Sequence, residues 1–252
     1  MPLLNMRLAR PDLLVDIAHV GGLPGITVDG DGALTIGAQV TQARALEDPL
    51  VGHGWPVLAE AMACIAHPQI RNRGAVCGSL AHNDPAAELP ALAVALDASF
   101  HVESSRGSRE IPASQMFVTV FTTALQPGEL LTHVRFPAPT PGTGWCFAEL
   151  SRRRGYFATI GVVVGLRRED KGPISWARIV FCGAGAVPVR APEAEHLLTG
   201  GRGESDLFSA AAGTAAAEID PPEDINASAQ FRRDAARHLV ARALEAAWTR
   251  TS

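Results

Sequence analysis

At 252 residues, 47% hydrophobic and 19% charged, the chain has the composition of a globular protein with room for one large domain or two ordinary ones. A net charge of −4 gives nucleic acid and anionic membranes no reason to bind, and the arginine clusters are too short to reverse that. No apolar run reaches membrane-spanning length, and the first residues lack the basic-then-apolar pattern of a secretory signal, so the expected compartment is the cytoplasm, with four reduced cysteines.

Taken in chain order, alternation and turn chemistry predict strands at 13–17, 26–28 and 34–36, the last two joined by the hairpin-forming Asp29-Gly30-Asp31-Gly32. Helices are expected at 41–47, at 56–66 with Pro56 at the first helical position, and at 86–96. Strands should follow at 100–104, 109–112 and 130–136. The run Pro137-Ala138-Pro139-Thr140-Pro141-Gly142 can hold neither helix nor sheet and marks a boundary between domains at 1–140 and 145–252. Beyond it, strands at 145–150, 159–167 and 174–182 precede helices at 192–198, 206–219 and 229–248. Strands followed by helices make an α+β class, with a three-stranded antiparallel sheet under helices in the second domain.

One stretch, 67–90, crowds special backbone requirements together. His67-Pro68 should stop the preceding helix, and the basic Arg71-Asn72-Arg73 follows. Gly74 and Gly78 bracket Ala75-Val76-Cys77, a spacing that lets a backbone turn and present successive N–H groups to an anion. Asp84-Pro85 is the favoured N-cap and first-residue pair for the next helix. Together these resemble a diphosphate cradle flanked by positive charge. Cys64-x2-His67 with Cys77-x4-His82 could instead be written as a zinc quartet, although a cysteine inside the apolar run 59–66 is ordinary core material. No GxSxG, HExxH or GxxxxGK[ST] occurs, the eight histidines are scattered, and no general acid, base or nucleophile stands out.

The wording RNRGxxxGSLAHxDPAAELP, carried here by residues 71–90, resembles the second flavin-contacting loop of the FAD-binding medium subunits of the molybdenum hydroxylases, the xanthine dehydrogenase and carbon monoxide dehydrogenase family. Asn5-Met6-Arg7-Leu8-Ala9-Arg10-Pro11, Phe121-Thr122-Thr123-Ala124-Leu125, Ser151-Arg152-Arg153 and Asp220-Pro221-Pro222 extend the resemblance over essentially the whole chain. It implies a PCMH-type FAD-binding fold, of which 1–140 would supply the second subdomain, followed by a C-terminal domain like that of carbon monoxide dehydrogenase flavoproteins. It implies FAD as cofactor, and as partners an iron–sulfur small subunit with 2Fe–2S clusters and a large subunit with the molybdenum cofactor. In such a complex FAD collects electrons from the clusters and passes them to a terminal acceptor, so the subunit breaks no substrate bond.

Residue by residue, the resemblance places Ala75, Val76, Cys77, Gly78 and Ser79 on the diphosphate, Glu88 on the ribose hydroxyls, Leu131 near the rings, and Arg153 and Phe157 in a segment crossing the isoalloxazine. Glu88 could equally be a solvated first-turn glutamate favoured by the helix dipole. Three departures matter. Relatives carry Thr-x-Gly-Gly where this chain has Ala75-Val76-Cys77-Gly78, which removes a hydroxyl and puts a side chain where close backbone approach is expected. Tyr156 stands where relatives carry aspartate. Relatives also precede the NxRLARP stretch with a βαβ unit bearing the first glycine loop, a unit this sequence as written is expected to lack. The alternative to an FAD-binding electron-transfer subunit is therefore a structural subunit that has lost flavin.

Overall fold

The computed structural model describes the chain except Met1, Met6, Ala9, Pro24, Arg154, 169–171 and Ser252, and the side chains of Pro2 and Leu3. Met6 and Ala9 of the N-terminal motif and Arg154 of the arginine segment thus lie outside the described residues. The chain opens with α1 (Pro2–Asn5), β1 (Ile26–Val28) and β2 (Leu34–Gly37). Six helices follow: α2 (Gln42–Glu47), α3 (Pro49–Gly54), α4 (Pro56–Cys64), α5 (Pro68–Arg71), α6 (Val76–His82) and α7 (Glu88–Ala95). Next come β3 (Ser99–Ser104), β4 (Gly107–Pro112), α8 (Ala113–Met116), β5 (Phe117–Thr119), β6 (Thr122–Thr123) and β7 (Leu130–Phe136). The last stretch holds β8 (Thr143–Ser151), β9 (Ala158–Arg168), β10 (Ile174–Cys182), β11 (Val189–Arg190), α9 (Pro192–Leu198), α10 (Ser205–Ala217) and α11 (Ala229–Thr249).

The first sheet runs β1-β2-β7-β3-β4, antiparallel throughout. Its register aligns Ile26, Ile36, Val134, Phe100 and Ile111 in one row across all five strands. Because side chains alternate along a strand, this row faces the helices while neighbouring His101, His133 and Arg135 face outward. Burying a Phe or Ile in such a row is worth about 1.5–3 kcal/mol each.

In the second sheet, ordered β11-β10-β9-β8, the three expected long strands are joined by a two-residue β11 at the edge. Both faces are covered: α9, α10 and α11 lie on one side, α4 and α7 on the other. The first nine residues of β9 are accordingly buried without a break, which explains why ATIGVVVGL reads as a continuous apolar run. Alternation sorts them. Ile160, Val162, Val164 and Leu166 pack with Phe181 under the C-terminal helices, whereas Val163, Phe147 and Val180 join Leu92 and Met62 in the core of the N-terminal part. The two sheets thus share a core through α4 and α7. Among the described residues, no helix is long and apolar enough to cross a membrane.

Three expectations are corrected. The strand at 13–17 does not form: Leu13, Leu14 and Val15 are exposed, and the carbonyls of Ile17 and Val20 are held by Gln39 Nε2 (2.6 and 2.8 Å) instead of a neighbouring strand. Residues 76–79, expected as a loop, are the first turn of α6, a helix that sinks Val76, Cys77 and Leu80 into the core. Asp84 does not cap the next helix. Its Oδ1 accepts from the amide of Ala86 (2.9 Å) and closes a turn, and α7 begins only after Ala87, at Glu88.

Candidate flavin site

The start of α6 is fixed by backbone bonds to the segment ahead of α2. Gln42 N donates to Gly74 O (2.7 Å) and Val76 N to Val40 O (3.0 Å). Glycine at 74 eases this approach, since a Cβ there would sit 3.0 Å from Gln42 Oε1 and 3.2 Å from Ile70 O and would press both aside. Ala75 is the N-cap, in extended conformation, with no side-chain cap. The amide of Val76 is already used and that of Ser79 bonds Ala75 O (3.1 Å), so among the described residues Cys77 and Gly78 offer the free N–H groups of the first turn. Gly78 is exposed and Ser79 half-buried, so both amides and the serine hydroxyl can be approached from solvent.

Cys77 is turned the other way. Its Sγ donates to Ile36 O (3.4 Å), and burial pushes the thiol up to about 12. The side chain therefore does not obstruct the cradle, contrary to the expectation that cysteine in place of glycine would crowd it, and it cannot join a zinc quartet facing solvent. The basic loop is also only partly free. Arg71 Nη1 donates to Ile65 O (2.6 Å) and Ala66 O (3.0 Å), tying α5 to the end of α4, while Arg73 stays exposed.

Two further segments converge on this end of the molecule. The hairpin β5–β6 is clamped to the end of α6 by Asn83, fully buried and left-handed (φ 49°), whose Nδ2 donates to Thr119 O (2.7 Å) and Thr122 O (2.9 Å). His82 stacks on Phe121 with ring centroids 4.9 Å apart. The β8–β9 turn comes up against the α4–α5 junction: Gly155 has φ +82°, and a Cβ there would lie 2.5 Å from the His67 ring and 2.9 Å from Ala66 O. Beside it a shallow cavity of about 370 Å³ is lined by Ala63, Ala66, His67, Pro68 and Arg71. The turn leaves Phe157 71% exposed and Tyr156 51% exposed, with the Arg153 guanidinium 5.9 Å from the Tyr156 ring centre.

Glu88 and Leu131 fall elsewhere. Leu131 is 4% exposed, packed in the core of the N-terminal part. Glu88 is 5% exposed and faces the second sheet across the seam. Burial pushes its carboxyl up to about 8, opposed by its own backbone N–H and helped by the charges of Glu149 and Asp84. Glu149 is raised in the same direction by burial, with Glu88 working against that, so the two neighbouring carboxyls resist ionising together. A solvated first-turn glutamate is not buried in this way. The inward turn of Glu88 depends on tertiary packing, and no local pattern signals it.

A profile described as the FAD binding domain in molybdopterin dehydrogenase matches residues 1–139, and one described as the CO dehydrogenase flavoprotein C-terminal domain matches 145–247. The chain belongs to the FAD-binding medium subunits of the molybdenum hydroxylases. It is 41% identical over 244 residues to the 6-hydroxypseudooxynicotine dehydrogenase complex subunit alpha of Paenarthrobacter nicotinovorans, covering 97% of this chain and 82% of that one. It is 35% identical over 250 residues to the carbon monoxide dehydrogenase medium chain of Hydrogenophaga pseudoflava, covering 99% and 86%. Its fold superimposes on carbon monoxide dehydrogenase from the same organism with a TM-score of 0.94 at 37% identity, over 100% of this chain and 87% of that one. Quinoline 2-oxidoreductase from Pseudomonas putida 86 gives 0.93 at 33% identity, over 98% and 86%. These relatives are subunits of oxidoreductase complexes, and FAD is the cofactor of the family to which the chain belongs. The residues present fit that group: free first-turn amides and an accessible hydroxyl on α6, and exposed aromatic side chains on the β8–β9 turn.

Proposed function

We propose that the first turn of α6 binds the FAD diphosphate, through the amides of Cys77 and Gly78 and the hydroxyl of Ser79, with Ala75 and Val76 setting the backbone and Arg73 adding positive charge. Phe157 and Tyr156 cover the isoalloxazine and exclude water, and Arg153 holds the Tyr156 ring. Glu88 acts at one remove, fixing α7 against the second sheet. When bound, FAD supplies one- and two-electron chemistry. The protein's part is to orient the ring, bind the diphosphate and set the local charge, and in that last respect Tyr156 removes a negative charge that an aspartate would bring.

The partners this reading assigns are an iron–sulfur small subunit and a molybdenum-binding large subunit, in the cytoplasm, with 1–140 as the flavin part and 145–252 as the C-terminal part. What supports it most is that stretches far apart in sequence gather at this end: 117–123 is held on Asn83 at the end of α6, and the turn at 151–157 packs against Ala66 and His67 just ahead of α5. The test is to purify the chain with its co-expressed partner subunits. A flavin absorbance that bleaches on anaerobic reduction is expected, and a colourless complex would favour a structural role instead.

A further inference from the structure

At the end of the second sheet away from the β8–β9 turn lies a larger cleft, about 560 Å³, between the two sheets. The six residues of β8 beyond Trp145 separate it from the flavin end, by roughly 20 Å at about 3.3 Å per residue. Its walls come from 53–57, 95–97 and the proline run 137–140, and its floor is a patch of the second sheet. The strand register sets that patch. Thr143, Arg167 and Trp176 lie directly across one another on β8, β9 and β10, and Trp145, Gly165 and Arg178 form the next row on the same face.

Gly165 lets the Trp145 indole lie against the sheet, since a Cβ there would come within 2.6 Å of the ring. Trp145 and Trp176 meet edge to face at 5.6 Å, and the guanidiniums of Arg167 and Arg178 stand 5.7 and 5.4 Å from the Trp176 ring centre. The other charges are paired: Arg178 with Asp97 (2.9 Å) and Arg250 with Glu60 (2.7 Å). Arg167 has no carboxylate partner among the described residues, so three guanidiniums face two carboxylates and one positive charge is left over. Moreover, Arg167 Nε and Thr143 Oγ1 are both buried without a hydrogen-bond partner, and the register makes them cross-strand neighbours. Two orphaned donors side by side, at an uncompensated cation and beside a flat indole, match one ligand chemistry.

We propose that this cleft binds a mono- or bicyclic aromatic carboxylate, with its carboxylate on Arg167 and Thr143 and its ring packed against Trp145 and the proline wall. The cleft volume lies in the range of small-molecule sites, about 300–1,000 Å³, at a seam between two sheets, where such sites concentrate. An aliphatic acid would forgo the indole, and a neutral aromatic would leave both donors unmet.

The probe is 2-naphthoate, titrated by calorimetry into the purified protein with its partner subunits and FAD present. Saturable one-to-one binding is expected, with 2-naphthamide and cyclohexanecarboxylate each at least about tenfold weaker. Arg167→Gln should weaken 2-naphthoate by about tenfold to a hundredfold, Arg167→Lys by less, and the near-isosteric Thr143→Val by severalfold, with FAD content unchanged in all three. Absence of saturable binding would overturn the proposal, as would equal affinity for the amide or affinity unaffected by both Arg167→Gln and Thr143→Val.

Discussion

Segments 67–90 and 143–182 behave as opposites. In the second, the apolar alternation that marks strands also decides what each side chain does, because both faces of the sheet are covered and every inward residue meets a core. In the first, the residues that carry the chemistry in sequence divide between two tasks. Gly78 and Ser79 stay accessible, while Cys77, Arg71 and Glu88 turn inward to tie α6, α5 and α7 to their surroundings. A motif of this kind is therefore half binding site and half scaffold, and spacing alone does not say which residue belongs to which half.

The largest expected effect lies in the shared core. Leu92, fully buried on α7, packs in the cluster that also holds Val163 and Val180 of the second sheet. Leu92→Ala should cost about 2–5 kcal/mol and should lower a single transition seen by probes in both halves. Separate transitions in thermal unfolding would mean that the sheets fold independently despite the common core.

The carboxyl pair at the seam comes next. Burial raises the Glu88 carboxyl from its ordinary value of about 4.5 to about 8, so between those pH values the folded state holds a proton that the unfolded chain has released. Stability should therefore fall as pH rises from about 4.5 to about 8, by on the order of a few kcal/mol. Glu88→Gln keeps a donor toward Glu149 and should flatten that slope, making the variant the more stable protein at pH 8. Denaturant midpoints measured across this range decide the matter, and an unchanged slope would place the titration elsewhere.

Much of the fold was legible: the three long strands of the second sheet, the hairpins, and the helix α11 follow from alternation, turn residues and periodicity. What failed did so for tertiary reasons. Residues 13–17 have strand composition but no paired neighbour among the described residues, and 76–82 form a helix because Val76, Cys77 and Leu80 share one buried face, which the two glycines conceal. Of the candidate site, the position of the loop was readable from its glycines and its resemblance, whereas the burial of Glu88 and Leu131 depends on packing partners distant in sequence, such as Glu149 and Val102.

Cys77→Gly sharpens the same contrast at smaller cost. It removes a buried side chain and places glycine in a helix, for a loss of about 2–3 kcal/mol, yet it should leave FAD affinity unchanged because the thiol faces Ile36. A gain in affinity on flavin titration would show that the side chain obstructs the cradle after all.

The central claim, that the open face of the first turn of α6 holds the diphosphate, is tested most directly at Gly78. A glutamate there has room, since a Cβ would meet only Ala75 Cβ at 3.6 Å, and its carboxylate would cover the free amides and repel phosphate. Gly78→Glu should keep the melting temperature within a few degrees and weaken FAD by about a hundredfold or more, the equivalent of about 2.8 kcal/mol. A folded Gly78→Glu protein that binds FAD as tightly as the parent would contradict the account.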